Sequence, residues 1–324
     1  MSFMGTLRRR VLTPDITETT FEKRGFHTCR PEARRRMEMV GRYFLAGYAA
    51  AAEVARPIDA ETTLENVPAG YRGFAYEGAA MGFAVRDALP VGGRRHVIEF
   101  LHGRAGSHVY MVYVGVGWAM ARIPRFRWPA LHTADPLLRW LVLDGYGFHQ
   151  AYFHTARYVY GPRPQDDACP WPAGEHAWYA RRAIDQGIGR ATWFVAGGDP
   201  ERVARLLGDF PAERRTDLFS GVGLAATYAG GVDRVSLERL WELAGRYRPQ
   251  LAQGATFGAH ARVRANLVTS YNEQAAEVFC GMSATEAAKL PDEARTGLPT
   301  TGPVPAYAVW RDRISETLAA RGRC

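Results

Sequence analysis

Five times along the chain an Arg stands six residues before a Gly, and the residue just before that Gly is polar. The five are Arg72 with Glu77-Gly78, Arg139 with Asp144-Gly145, Arg181 with Gln186-Gly187, Arg215 with Ser220-Gly221 and Arg248 with Gln253-Gly254. Two more stretches keep the Gly without the Arg, at Gly47 and at Gly115-Val116-Gly117. From Gly47 through 78, 115, 145, 187, 221 and 254 the steps are 31, 37, 30, 42, 34 and 33 residues. A step near 34 is that of stacked helical hairpins, in which each hairpin buries its apolar face on the next. The spacing predicts an all-α protein, an array of about seven stacked hairpins forming a tetratricopeptide-like α-solenoid.

A Gly inside a helix costs about 1 kcal/mol relative to Ala. Its return in every repeat implies a gain in packing. Pairs such as Gly145/Gly147, Gly187/Gly189 and Gly221/Gly223 would let two helix backbones approach closely. They do not form a dinucleotide fingerprint, which needs a preceding strand and a third Gly at fixed spacing. The polar residues before the glycines, Glu77, Asp144, Gln186, Ser220 and Gln253, would form a ladder along one surface. Two readings of that ladder stay open. Its members pair with Arg residues of their own or a neighbouring repeat, or they line the wall of a groove.

Around this array, residues 1–28 read as an irregular basic lead, broken early by Pro14. The helical repeats occupy 29–290, and 291–324 is a turn-rich segment with a terminal helix, Tyr307 to Arg321, capping the array. Within the repeats a helix starts near Pro31 and stops near Pro57. Residues 95–122 have strand-like β-branched and aromatic content, but the phase of the glycines favours helix. Asp135-Pro136 starts a central helix that runs to about Tyr158. Four prolines make 161–174 a long loop, read as a lid or an inert crossover.

The net charge of +8 is carried almost wholly by Arg, since Lys23 and Lys289 are the only lysines. The excess is local, with nine Arg or Lys against four Asp or Glu in residues 1–36. No basic stripe with interleaved aromatics is visible, so no nucleic-acid partner is expected. The four cysteines, Cys29, Cys169, Cys280 and Cys324, are scattered and fit free thiols in a reducing cytoplasm. Nor is a signal peptide or a membrane span expected. The longest apolar run, Val109 to Ala121, is too short to cross a bilayer.

Chemistry is less legible. Glu99 and His102 have the i, i+3 spacing of a carboxylate-bridged metal helix, but such a site needs a second copy. No metal site is expected, the cofactor is unknown, and a haem held by His149 stays open. A serine-hydrolase elbow is absent. Cys280 reads as a buried small residue. Aromatic density is highest from Trp118 to Trp193, where a core or an elongated apolar ligand would want it. The candidate pocket lies on the central repeat. Asp144, His149, Tyr146, Phe148 and Tyr152 line it. Over the whole ladder Glu77, Asp144 and His149 are the candidate catalytic groups, and Tyr146, Phe148, Tyr152, Gln186 and Gln253 the candidate substrate-binding groups. His149 is suited to move a proton near neutral pH.

The stretches Arg72-Gly-Phe-Ala-Tyr-Glu-Gly-Ala-Ala-Met81, Leu137-Leu-Arg-Trp-Leu-Val-Leu-Asp-Gly-Tyr-Gly-Phe-His149, Arg182-Ala-Ile-Asp-Gln-Gly-Ile-Gly-Arg190 and Gly221-Val-Gly-Leu-Ala-Ala-Thr-Tyr-Ala-Gly230 resemble a bacterial family of unknown-function proteins, the DUF1702 group. The likeness covers roughly residues 20–290. Members of that family occur with gene sets for enediyne antibiotics, beside an iterative polyketide synthase that releases a linear polyene. The resemblance implies a role in turning that polyene into the enediyne core. It supplies no agreed catalytic residues. Two expectations follow. The chain is an oxidative tailoring enzyme of the polyene, or a non-catalytic scaffold that holds a pathway enzyme or shields a reactive intermediate. Its partners would be a hydrophobic intermediate and a protein of the same pathway.

Overall fold

The computed structural model describes residues 3–89, 95–132, 134–161 and 174–322. Every regular element among them is helical, with no strand. The chain divides into two units. The first comprises residues 1–25 and 35–146, the second 26–34 and 147–324.

The first unit holds α1 (Phe3–Leu12), α2 (Phe21–Arg24), most of α3 (Pro31–Glu53), α4 (Ile58–Glu65), α5 (Ala69–Ala88), α6 (His96–His102), α7 (Val109–Met120) and the first half of α8 (Trp140–Phe153). The second holds the rest of α8, then α9 (Ala180–Val195), α10 (Pro200–Gly208), α11 (Ala212–Ala229), α12 (Arg234–Ala244), α13 (Arg248–Arg264), α14 (Ser270–Cys280), α15 (Ala284–Ala287), α16 (Lys289–Arg295) and α17 (Ala306–Ala320).

Most of the repeated glycines are points where long helices cross. A Cβ on Gly47 of α3 would stand 1.9 Å from the Ala75 carbonyl oxygen, and one on Gly78 of α5 would stand 1.9 Å from that of Phe44. Each clashing oxygen belongs to the residue three before the partner glycine. The same reciprocal geometry joins Gly117 and Gly145, Gly189 and Gly221, and Gly223 and Gly254, with gaps of 1.9 to 2.1 Å. No side chain fits in such a gap, and the helices touch backbone to backbone with Cα–H groups facing carbonyls. Residues two apart on a helix point about 200° from each other. Accordingly, Gly221 of α11 faces α9 while Gly223 faces α13.

The recurring Arg has a shared task as well. Arg72 Nε donates to the Val67 carbonyl at 3.1 Å, Arg215 to those of Phe210 and Gly208 at 2.8 and 2.6 Å, and Arg248 to that of Trp241 at 2.9 Å. These carbonyls lie in the last turn of the preceding short helix or just beyond it. Each Arg thus satisfies orphan acceptors at the negative end of that helix dipole. Arg181 is exposed, and its neighbour Arg182 pairs with Asp217.

Several local expectations need correction. The lead 1–28 is not irregular: Pro14 ends α1 rather than preventing it, and Arg8 fastens that helix to carbonyls at the end of α3. Asp135 does cap, its Oδ1 accepting from the Leu137 and Leu138 amides at 2.8 and 3.0 Å, but those residues form a turn and regular helix begins only at Trp140. That helix ends at Phe153, and Ala156–Tyr160 widens into a π turn. Between α7 and α8, Pro124 precedes a 3-10 turn, Arg125–Ala130, that contains Pro129. Part of the stretch after Pro291, read as turn-rich, belongs to α16, where that proline sits in the first turn and needs no amide donor. The helical reading of 95–122 holds, with α6, a 3-10 turn and α7 there. The proposed lid, 161–174, lies almost wholly outside the described residues.

Candidate functional site

The ladder residues of the second unit come together. Gln186, Ser220 and Gln253 sit on α9, α11 and α13, the last two just before a crossing glycine and the first lying three residues before Gly189, and all are buried. The Ser220 hydroxyl donates to Gln253 Oε1 at 2.7 Å. Gln186 Nε2 donates to Asp217 Oδ1 at 2.9 Å and to the Tyr179 hydroxyl at 3.2 Å. Two side chains of α17 complete the network. Tyr307 donates to Gln186 Oε1 at 3.4 Å, and Arg311 Nη2 donates to Ser220 Oγ at 2.8 Å and lies 3.8 Å from Asp217. On its other oxygen Asp217 accepts from Arg182 Nε at 2.8 Å. The Gln253 amide nitrogen is buried with no hydrogen-bond partner among the described residues.

Electrostatically this is an enclosed polar seam. Burial pushes the Tyr179 phenol up, so it stays neutral and able to donate. Burial works against the Arg311 charge, but Tyr179, Tyr307 and Asp217 outweigh it and hold the guanidinium above its usual range. One residue before Gln186, Asp185 takes a bidentate pair from Arg214, at 2.9 and 2.6 Å, that latches α9 to α11. Burial nevertheless pushes its carboxyl up to about 6, against the pull of Arg214. The seam can hold protons at fixed positions and rigidify the helices that supply it.

The other predicted site residues are not gathered in one unit. Glu77, Asp144 and Tyr146 belong to the first, and His149, Phe148, Tyr152, Gln186 and Gln253 to the second. Glu77, Asp144 and His149 are each at most 4% exposed. The Glu77 carbonyl takes part in a helix crossing, 2.2 Å from where a Cβ on Gly115 would stand. Tyr146 packs edge-on against Trp128 at 5.8 Å between ring centroids. The His149 ring lies 4.6 Å from that of Phe153. Phe148 stacks on Tyr152 at 5.8 Å, Phe194 closes on both, and the Arg190 guanidinium sits 5.1 Å above Phe148.

Tyr179, Arg182, Asp217, Tyr307 and Arg311 were not anticipated. Arg182 lies four residues before Gln186 and Asp217 three before Ser220, so the ladder face itself pointed to both. Nothing local points to Tyr307 and Arg311, which lie 121 and 91 residues from their partners. Among the described residues no three His, Cys, Asp or Glu side chains are grouped to hold a metal ion. Cys280 is buried, its Sγ 3.6 Å from the Ala252 carbonyl, as a small core residue. A groove of about 440 Å³ runs along α16 and α17, lined by Leu290, Glu293, Arg313, Glu316 and Thr317 and by none of the predicted site residues. No described helix is long and apolar enough to cross a membrane.

These features define an all-helical protein whose long helices cross at paired glycines and whose second unit encloses a polar seam. Residues 3–318 match the family described as Protein of unknown function (DUF1702), and the chain belongs to that family. No curated protein and no solved structure matches it.

Proposed function

We propose that the protein serves the maturation of a polyketide-derived linear polyene into an enediyne core, and does so by binding rather than by chemistry. In this reading the glycine-crossed helices form a stacked, tetratricopeptide-like array. The array holds the apolar intermediate, or the enzyme that carries it, away from water. The family resemblance supports the pathway. The observation that carries the choice of binding is the pairing of Gln186, Ser220 and Gln253 with one another and with α17. Apart from the Gln253 amide nitrogen, their polar side-chain groups are engaged within the fold.

A second reading, an oxidative tailoring enzyme, is favoured by the burial of two carboxyl side chains and an imidazole, Glu77, Asp144 and His149, in apolar helices. One set of measurements separates the two. Purified protein is examined by absorption spectroscopy and metal analysis. Asp144→Asn and His149→Ala are then tested for complementation of a producer strain lacking the gene. On the binding reading the protein is free of chromophore and metal, quenches its tryptophan fluorescence on adding a linear polyene, and both folded variants restore product. A bound haem, flavin or metal, or a folded variant that restores none, would establish the enzyme instead.

A further inference from the structure

The N-terminal helix is amphipathic with its apolar side facing outward. Phe3, Met4, Leu7 and Val11 of α1 are 83, 59, 44 and 71% exposed. Their spacing places them within an arc of about 100° of the helix surface. The helix is held to the protein by a different face. Gly5 is buried, and Arg8 donates to the carbonyls of Ala52, Glu53 and Val54 at 3.0, 3.2 and 3.1 Å. Turning the apolar arc inward would break all three bonds. Left in water, four such side chains forgo the gain of burial.

The charge on the helix says what covers this arc. α1 contains Arg8, Arg9 and Arg10 and no acidic residue. Arg9 reaches back to Glu53 at 2.8 Å while more than half its side chain stays in water. Arg10 is exposed at the edge of the apolar arc. An apolar stripe of Phe, Met, Leu and Val with the exposed Arg10 at its rim fits a bilayer interface, where acyl chains take the stripe and anionic headgroups the Arg10 guanidinium. We infer that α1 is a peripheral docking element for an anionic lipid surface, lying in the interface without spanning it. This function is separate from the polar seam and does not depend on the polyene reading.

The test uses the full chain with a native N-terminus and co-sedimentation with two kinds of vesicle, pure phosphatidylcholine and equimolar phosphatidylcholine and phosphatidylglycerol. The protein should sediment with the anionic vesicles, much less with the neutral ones, and be released as salt is raised. The doubly substituted Leu7→Asp, Val11→Asp chain should lose about tenfold or more in partitioning with unchanged circular dichroism, since both side chains are exposed. Arg10→Gln, which leaves the apolar stripe intact, should weaken anionic binding alone. Absence of binding to either vesicle, or equal binding by all three chains, would overturn the inference. So would a dimer that the double substitution dissolves without any lipid binding, because a second copy would then be the occupant.

Discussion

Asp217 shows how a single carboxylate can organise a core. It is buried between Arg182 and Arg311 and also accepts from Gln186. Removing one member of a buried ion network leaves the remaining charge uncompensated, which costs about 3–5 kcal/mol. Asp217→Ala should therefore lower stability by that order in urea unfolding. Adding Arg311→Met should recover a large part of it, because the stranded charge goes with it. A surface carboxylate behaves differently. Asp233 caps α12, accepting from the Ser236 amide at 3.0 Å and its hydroxyl at 2.7 Å, with Arg30 beside it. Those Ser236 bonds first, and Arg30 after them, hold its carboxyl down at about 2. Its folded-state pKa lies below the unfolded one, so its stabilisation is complete above about pH 4 and disappears as pH falls through about 2. Asp233→Ala should cost about 1 kcal/mol at neutral pH, the value of a cap, and only a small part of that near pH 2. Melting curves at the two pH values check this.

Among the helices, the glycine crossings decide how closely neighbours pack. An Ala at Gly223 would gain about 1 kcal/mol of helix propensity. Its Cβ, however, would stand 1.9 Å from the Leu251 carbonyl, backbone that can yield only by moving α13. Overpacking of that kind costs about 1–3 kcal/mol or more, so Gly223→Ala should be net destabilising. Gly208, the last residue of α10, is the control. A Cβ there meets nothing within 4 Å, so Gly208→Ala should be neutral or stabilise by up to about 1 kcal/mol. Thermal unfolding of the two variants should move in opposite directions, or only the first should move. Equal effects would mean that the crossings are looser than the geometry says. The terminal helix differs from the expected outer cap. It packs along α13 and α16 and brings Tyr307 and Arg311 into the seam.

At the scale of the whole molecule, that last helix has energetic consequences. Tyr307, Trp310, Ile314 and Leu318 are all buried, and the Trp310 indole also donates to the Pro291 carbonyl at 2.6 Å. Four such side chains at about 1.5–3 kcal/mol each approach the roughly 5–15 kcal/mol by which a folded domain is stable. A chain ending at Val304 should lose its cooperative thermal transition by circular dichroism. A truncated chain that melts like the full one would make α17 a detachable strap and remove the seam from the architecture.

What the amino-acid order determined by itself was periodic. Gly at a near-constant step, Arg six residues earlier and Pro or Asp at helix starts are local signals, readable because a helix repeats its geometry every few residues. They located most of the long helices and the crossing role of the glycines, and they singled out Gln186, Ser220 and Gln253 as a set. The same signals had put Glu77 and Asp144 in that ladder, and no local pattern could say that these two would fall in the other unit. The tertiary structure alone decided the partners. Arg311 meets Ser220 across 91 residues, and Tyr307 meets Gln186 across 121. Such contacts are fixed by which apolar face of α17 finds which exposed stripe, and burial of apolar area is non-directional, so sequence spacing does not encode it. For the same reason the outward apolar arc of α1 was invisible beforehand. Its residues read as part of an irregular basic lead, and only the fold shows a helix held by the three bonds of Arg8 with that face outward.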